Sequence, residues 1–136
     1  MNLGSSDIFG VLPYIAPEVL RKFPYTKKSD VYSIGIIMWE LVTGKRPFSN
    51  EKHDSGLAIS IIKGNRLPIS KNIPSFYVET MKNCWNSDPD KRPDSSQLIE
   101  IFETLMLVFK NDSLPNNVNF TLISDQKKQQ INKGKI

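Results

Sequence analysis

The chain has 136 residues, 39% of them hydrophobic, and its 18 Lys and Arg against 14 Asp and Glu give a net charge of +4. This length and composition fit one globular domain and exclude an intrinsically disordered chain. No apolar run reaches the roughly 18 residues that a membrane helix needs, and the N-terminus lacks the basic start and apolar stretch of a signal peptide. We therefore expect a cytoplasmic protein with no membrane contact.

The chain has one cysteine and one histidine, which limits the kinds of catalytic or metal site that it can form. Cys84 has no second thiol for an internal disulfide, and because it lies beside Trp85 in an apolar stretch we expect it to be buried. His53 has no Cys or carboxylate cluster at metal-ligand spacing. We therefore predict neither a metal site nor a histidine-dependent nucleophile.

The positive charge is concentrated at the C-terminus. Residues 110–136 hold five Lys and two Asp, which is +3 of the net +4. No aromatic residue lies among the lysines to provide a stacking surface for nucleic acid. We therefore predict a domain over 1–109 and a polar, basic, disordered tail over 110–136 that binds no nucleic acid.

The pattern of residues 1–13 predicts a loop, and Pro17 favours a short helix through Leu20. The strongest helical pattern follows, from Ser29 as the N-cap to Gly44 as the C-cap. One apolar stripe of this helix recurs at three- and four-residue spacing, and it consists of Val31, Ile34, Met38, Leu41 and Val42.

The same helix is apolar around most of its circumference, since Ile36, Ile37 and Trp39 lie off the stripe. A helix of this kind is normally buried on all sides. The later helices can cover only part of it, so we expect this chain alone to expose a contiguous apolar patch.

Three further helices are predicted. The first runs from Asp54 to Gly64, and the second begins with Ser75 as its cap and ends before Asp88-Pro89. The third begins at Asp94, where Gln97 three residues later completes a capping box, and continues to residue 109. The predicted fold is therefore mainly α, a helical bundle around a central buried helix.

Three motif groups, in this order, resemble those of protein kinases. The first resembles the Ala-Pro-Glu triplet that closes the activation segment, the second the Asp and Gly of the central helix, and the third the Trp…Asp-Pro…Arg-Pro segment. The matching residues are Ala16, Pro17 and Glu18; Asp30 and Gly35; and Trp85, Asp88, Pro89, Arg92 and Pro93. Their order and spacing disfavour an unrelated helical domain.

The resemblance covers residues 10 to about 109 and implies the lower half of a kinase C-lobe. The Cys84-Trp85 pair and the run over residues 38–41 are most similar to tyrosine kinases and tyrosine-kinase-like Ser/Thr kinases. Tyr14 stands where many tyrosine kinases carry Trp. We therefore expect specificity for Ser/Thr rather than Tyr.

The resemblance also implies roles for single residues. It implies that Glu18 pairs with Arg92, and a planar guanidinium can bind a carboxylate through two parallel hydrogen bonds. For Asp30 it leaves two roles open, orientation of a catalytic loop or capping of the helix. Ser5 and Ser6 lie where activation-loop phosphosites occur, but we expect them to belong to a plain polar loop.

A substrate-positioning loop is implied over Gly10, Val11, Leu12, Pro13 and Tyr14. The rigid φ of Pro13 suits a fixed support for the peptide next to the phosphoacceptor. Val11 departs from the pattern of many Ser/Thr kinases, which carry Thr there. A valine cannot donate the hydrogen bond that a threonine hydroxyl gives to catalytic groups.

The motifs that perform phosphoryl transfer do not occur in the 136 residues: there is no Gly-rich loop, strand Lys, His-Arg-Asp loop or Asp-Phe-Gly. The family uses ATP and Mg, but we predict no cofactor site in this chain. We expect a fragment of an ATP-dependent protein kinase that is inactive alone. The alternative is a non-catalytic kinase-like binding module. The expected partners are protein substrates or regulators, and the other half of the kinase.

Overall fold

The computed structural model describes residues 11–110, except the side chains of residues 108 and 109. This part of the chain forms five α-helices and two short 3-10 turns, and it contains no strand. The helices are α1 (Pro17–Leu20), α2 (Lys27–Thr43), α3 (Ser55–Ile62), α4 (Ser75–Cys84) and α5 (Ser95–Lys110). The mainly α fold is confirmed, whereas Gly10, Ser5, Ser6 and the tail after Lys110 lie outside the described residues.

Helix α2 begins earlier than its sequence pattern predicts. Thr26, not Ser29, is its N-cap: the Thr26 hydroxyl accepts a hydrogen bond from the Lys28 amide at 3.2 Å. Ser29 closes a capping box instead, because its hydroxyl accepts from the Thr26 amide at 3.1 Å. Gly44 ends the helix as predicted, at a φ of 67° that favours glycine.

The two sides of α2 differ sharply in exposure. Seven of its residues are buried, so the helix is the centre of the fold, and they are Ser29, Val31, Tyr32, Gly35, Ile36, Met38 and Trp39. Within the apolar stripe Val31 and Met38 are buried, whereas Leu41 is 77% exposed and Val42 is 37% exposed, so this chain does not bury the helix on all sides. The other described helices cover only the opposite side.

Two of the three later helices begin directly after the cap residue that the sequence predicts, and the third does not. Asp54 caps α3 through a 3.1 Å bond from the Leu57 amide to its carboxylate. Asp94 and Gln97 form the predicted reciprocal capping box before α5, with bonds of 2.8 and 2.9 Å. Ser75 is the first residue of α4 and not its cap, because the extended backbone of Pro74 already occupies that position.

Helices α2 and α4 make the largest contact in the fold, and α1 packs on α3. Both 3-10 turns, Leu12–Tyr14 and Pro89–Lys91, also contact α2. The resulting core contains residues from every helix region, and its fully buried members are Leu12, Ile36, Ile61, Met81 and Cys84. The turn before the first motif group and the turn within the last motif group therefore both lie against α2.

Within residues 11–110, no helix is long and apolar enough to cross a lipid bilayer.

Candidate functional site

The predicted pair between Glu18 and Arg92 is present at the centre of the motif residues. One terminal nitrogen of Arg92 donates to Glu18 Oε1 at 2.6 Å and the other donates to Oε2 at 2.9 Å. The Arg92 side chain is 0% exposed and that of Glu18 is 13% exposed. The two parallel bonds fix both the distance and the orientation of α1 relative to the segment before α5.

Arg92 also binds backbone carbonyls from two other segments. Its Nε donates to the carbonyl of Asn86 at 2.8 Å, and a terminal nitrogen donates to the carbonyl of Lys28 at 2.8 Å. In return, Lys28 Nζ donates to the carbonyl of Arg92 at 2.6 Å. One buried guanidinium therefore joins α1, the first turn of α2 and the loop after α4.

The carboxyl group of Glu18 is held in its charged form. Burial by itself raises the pKa of Glu18, but the hydrogen bonds and charge of Arg92, with the backbone and Ser29 hydrogen bonds, outweigh it. The pKa therefore lies below its ordinary value of 4.5. Ser29 donates its hydroxyl to Glu18 Oε2 at 3.0 Å, so the residue that closes the capping box of α2 also supports the pair.

The Asp-Pro pair shapes the turn that presents Arg92. The Asp88 carboxylate accepts a bond from the Asp90 amide at 3.0 Å, and Pro89 begins the 3-10 turn Pro89–Lys91. The Arg92 amide closes that turn on the Pro89 carbonyl at 3.1 Å. Arg92 follows in an extended conformation, with ψ of 147°, and Pro93 comes directly after it.

Two residues that the motif analysis missed support Arg92. The guanidinium carbons of Arg92 and Arg66 each lie 5.2 Å from the centre of the buried Tyr32 ring. Arg66 also donates to the carbonyls of Trp85 and Ile61, both at 3.0 Å. A lone arginine in a polar connector forms no recognisable local pattern, so only the fold shows that Arg66 belongs to this cluster.

The described part of the loop that is predicted to position the substrate, residues 11–14, which we call the shelf, is held against α2. Leu12 and Pro13 are buried, and the Ile15 amide closes the turn on the Leu12 carbonyl at 3.2 Å. Ser33 of α2 donates its hydroxyl to the Tyr14 carbonyl at 2.7 Å.

The Tyr14 hydroxyl donates to the Glu40 carboxylate, so the shelf is joined to α2 at a second point. Val11 is exposed at the outer edge of the shelf. The short run Ala16–Pro17, which is buried, connects the shelf to Glu18. The shelf and the ion pair therefore form one continuous, anchored segment.

Gly35 and the Cys84-Trp85 pair meet where α2 crosses α4. A Cβ atom on Gly35 would lie 2.9 Å from Cys84 Cβ and 3.2 Å from the Trp85 amide nitrogen. Only glycine therefore permits this approach of the two helices. Cys84 is fully buried here, as predicted, and burial raises its pKa to about 12.

Asp30 lies apart from this cluster. It is exposed in the first turn of α2, and within residues 11–110 its carboxylate accepts no hydrogen bond. The capping role considered for it is wrong, because Thr26 and Ser29 occupy that role. Its other role, orientation of a catalytic loop, involves residues that this chain does not contain and stays a prediction.

The acidic and metal-binding side chains of the described residues are either dispersed or already paired. Across the part of the chain that the structure describes, no three His, Cys, Asp or Glu side chains come together in a group that could hold a metal ion. The only buried ion pair among these residues, Glu18 with Arg92, uses both carboxylate oxygens internally. These contacts can hold the shelf in a fixed position next to a peptide.

Comparison with known proteins agrees with this geometry. Residues 6–102 match the family described as protein tyrosine and serine/threonine kinase. The chain is 37% identical over 103 residues to the probable serine/threonine-protein kinase drkD of Dictyostelium discoideum. It is 38% identical over 101 residues to the mitogen-activated protein kinase kinase kinase mom-4 of Caenorhabditis elegans. These matches cover 76% and 74% of this chain but only 8% and 19% of the two relatives.

A solved structure shows the same fold. The cryo-EM structure of the AtMLKL3 tetramer superposes with a TM-score of 0.71 at 31% sequence identity, covering 88% of this chain and 23% of that chain. A third relative, mitogen-activated protein kinase kinase kinase 7 of Bos taurus, is 36% identical over 110 residues, which is 78% of this chain and 18% of that protein. The chain therefore belongs to the protein tyrosine and serine/threonine kinase family, and its described residues have the fold of a kinase C-lobe.

Proposed function

We propose that residues 11–110 are the part of a kinase domain that positions the protein substrate during phosphoryl transfer from ATP to Ser or Thr, and less readily to Tyr. The 136-residue polypeptide by itself transfers no phosphate. The observation that carries the proposal is the bidentate pair of Glu18 and Arg92, which anchors the shelf to the rest of the fold.

The shelf suits this role because it is rigid without help from any ligand. Its two buried residues, its closed turn and the bonds from Ser33 and to Glu40 hold its backbone in one conformation. A reacting hydroxyl gains most from a support whose geometry is fixed before the substrate arrives. Positioning is, with charge neutralisation, the main contribution of a kinase to its reaction.

Charge neutralisation is the contribution that this chain lacks. The groups that cradle the phosphates, hold magnesium and accept the hydroxyl proton in kinases match no motif in the 136 residues. We therefore propose that these groups come from other kinase sequence. The exposed apolar face of α2, around Ile37 and Leu41, is the surface that would pack against it.

A phosphate-transfer assay tests the inactivity of the chain alone. The purified chain is incubated with radiolabelled Mg-ATP and a generic protein substrate, with a complete kinase domain of a relative as the positive control. We expect no label above background and no heat of Mg-ATP binding by calorimetry. Label that appears with the purified chain, and disappears when Glu18→Gln is introduced, would overturn this part of the proposal.

A non-catalytic binding module is the second candidate. The contact between α1 and α3 favours it, because it places the shelf and the Asp54-capped helix in one assembly that needs no nucleotide. This candidate predicts that the chain binds kinase substrates or regulators in the absence of ATP. A chain that binds a protein segment but gives an inactive chimaera with a kinase relative would favour this module over the kinase portion.

The same proposal covers the cofactor and the cellular location. ATP and Mg are assigned to the complete kinase and not to this chain. The cytoplasmic location stays a prediction that a fluorescent fusion of the chain would test.

A further inference from the structure

We propose that the segment from the end of α1 through the first two residues of α2, residues 21–28, is a docking site for acidic segments of the proteins that the shelf receives. We call this segment the basic loop. The inference depends on the proposed function for one point, that the partner is a protein. It adds how that protein is recognised: its segment carries Asp or Glu residues next to an apolar residue.

The side chains of the basic loop favour the binding of carboxylates. It contains four cations and no anion, in the order Arg21, Lys22, Lys27 and Lys28. Two aromatic rings lie between the cations, and both are more than half exposed, Phe23 at 54% and Tyr25 at 61%. Large exposed aromatic side chains among positive charges provide an apolar contact surrounded by sites for carboxylates.

Three of the four cations are available to a partner. Lys28 Nζ is used internally, because it donates to the Arg92 carbonyl at 2.6 Å. Arg21, Lys22 and Lys27 are exposed, and within residues 11–110 none of them forms an ion pair with a carboxylate. The acidic residues that flank the loop are Glu18, which is paired with Arg92, and Asp30 in the first turn of α2, and the loop itself keeps a net positive charge.

The loop is closed at its first end by a backbone turn. Lys22 has a φ of 72°, and its amide donates to the Val19 carbonyl at 3.0 Å. The Phe23 amide donates to the Glu18 carbonyl at 3.0 Å, so the loop begins on the residue that Arg92 anchors.

The second end of the loop is fixed by the capping box of α2, in which Thr26 and Ser29 exchange hydrogen bonds. The Arg21 guanidinium lies 5.0 Å from the centre of the Phe23 ring. A loop fixed in this way loses little conformational entropy when a partner binds.

The position of the loop connects it to the shelf. Only Ile15, Ala16 and the four residues of α1 separate the shelf from the basic loop, so Tyr14 and Arg21 lie at most about 20 Å apart. An extended peptide advances about 3.3 Å per residue. A protein segment that lies on the shelf can therefore reach the basic loop with residues about six positions from its phosphoacceptor.

The structure favours a protein partner over a membrane or a nucleic acid. Three available cations are fewer than the four to eight that typically mark an anionic-lipid site. Single-strand binding uses several rings on which successive bases stack, and the Arg21 guanidinium lies over a face of Phe23, which leaves Tyr25 as the one ring of the loop without a cation over it. The side chains that remain suit carboxylates and one apolar side chain, which acidic protein segments provide.

Fluorescence anisotropy of the full chain with a labelled peptide of alternating Glu and Leu residues tests the proposal. ATP is omitted, so the result does not depend on catalysis. We expect saturable binding that weakens as salt is added, and no binding of the matched peptide with Gln in place of Glu. The double variant Lys22→Gln/Lys27→Gln should weaken binding about fivefold or more.

The tail provides the matched control. Lys127→Gln/Lys128→Gln removes the same charge from residues 110–136, and binding should be unchanged. Equal weakening by the two variants, no saturable binding, or stronger binding to phosphatidylserine vesicles or single-stranded oligonucleotides would overturn the proposal. A chimaeric kinase that is active although the peptide does not bind would refute this inference alone. Peptide binding by a chain that gives an inactive chimaera would refute the kinase role alone.

Discussion

Arg92 is the residue on which the described fold depends most. Its side chain is fully buried, and a guanidinium stays charged at any pH a protein tolerates. Burial of that charge is tolerated because Glu18 neutralises it and two carbonyls accept its remaining hydrogen bonds. Removal of the counter-charge would therefore leave a buried cation without compensation.

The first prediction concerns that counter-charge. Glu18→Gln keeps the size of the side chain but removes its charge, so we expect the free energy of unfolding to fall by about 3–5 kcal/mol. Urea denaturation followed by circular dichroism measures this change. Glu79→Gln on the exposed face of α4 is the matched control and should change stability by less than about 0.5 kcal/mol. A loss below about 1 kcal/mol for Glu18→Gln would show that the pair is not a structural anchor.

The second prediction is the pH dependence that this pair produces. Because the pKa of Glu18 is lower in the folded state than its ordinary value of 4.5, ionised Glu18 adds stability above that value. That contribution is lost as the pH falls below 4.5 and through the folded pKa. Urea titrations at falling pH should show the gap between the native chain and Glu18→Gln narrowing in acid. A gap that is constant across this range would contradict the assignment.

The third prediction is that Cys84 is unreactive in the folded chain. Burial raises the pKa of its thiol to about 12, and the nearby charge of Arg92 only partly opposes this, so almost no thiolate exists at neutral pH. A thiol-specific reagent should label the chain slowly in buffer and rapidly in urea. Equal rates in both conditions would show that the α2–α4 contact opens readily.

At the scale of elements, the crossing of α2 and α4 sets the core. The sequence motifs place Gly35 and Cys84-Trp85 far apart along the chain, and the structure brings them into direct contact. Any side chain at position 35 would have to displace the backbone of α4 as well as a side chain, since the Met81 carbonyl and the Trp85 amide both lie nearby. Close packing in protein interiors leaves little room for such a shift.

The fourth prediction tests this contact. Gly35→Ala should lower the free energy of unfolding by about 1–3 kcal/mol, because overpacking outweighs the better helix propensity of alanine. Ser96→Ala in α5 is the control, since its side chain is exposed and the change improves helix propensity without adding a buried atom. Thermal denaturation of both variants measures the difference. Stabilisation of the chain by Gly35→Ala would refute the close approach.

The helices themselves were largely predictable, and their boundaries less so. Paired cap residues such as Asp54 and the Asp94–Gln97 box locate a helix start correctly because the bonds they make are local. The predicted start of α2 is wrong because a serine can occupy either position of a capping box, the N-cap or the third helical residue. Only the backbone shows that Thr26 is the N-cap and Ser29 the third residue. Local periodicity cannot tell which face of an apolar helix finds a neighbour, so it does not separate the buried Met38 from the exposed Leu41 of the same stripe.

At the scale of the whole molecule, the Glu18–Arg92 pair could be expected from the family resemblance, but the support around it could not. Arg66 reaches Tyr32 and the carbonyls of Trp85 and Ile61 only because three helices converge there. The bonds between the shelf and α2 likewise join residues far apart in the chain. These contacts make the described residues a rigid support, and they leave one face of α2 exposed, with Ile37 45% and Leu41 77% exposed.

Phosphate transfer by a chimaera tests the central claim most directly. Residues 12–110 replace the matching segment in the kinase domain of mitogen-activated protein kinase kinase kinase 7 of Bos taurus. Position 11 keeps the relative's own residue, so that the valine of this chain does not affect the chemistry. We expect the folded chimaera to transfer labelled phosphate to Ser and Thr of a protein substrate, and Glu18→Gln within it to reduce that transfer. A chimaera that folds and binds Mg-ATP but labels no protein would contradict the account.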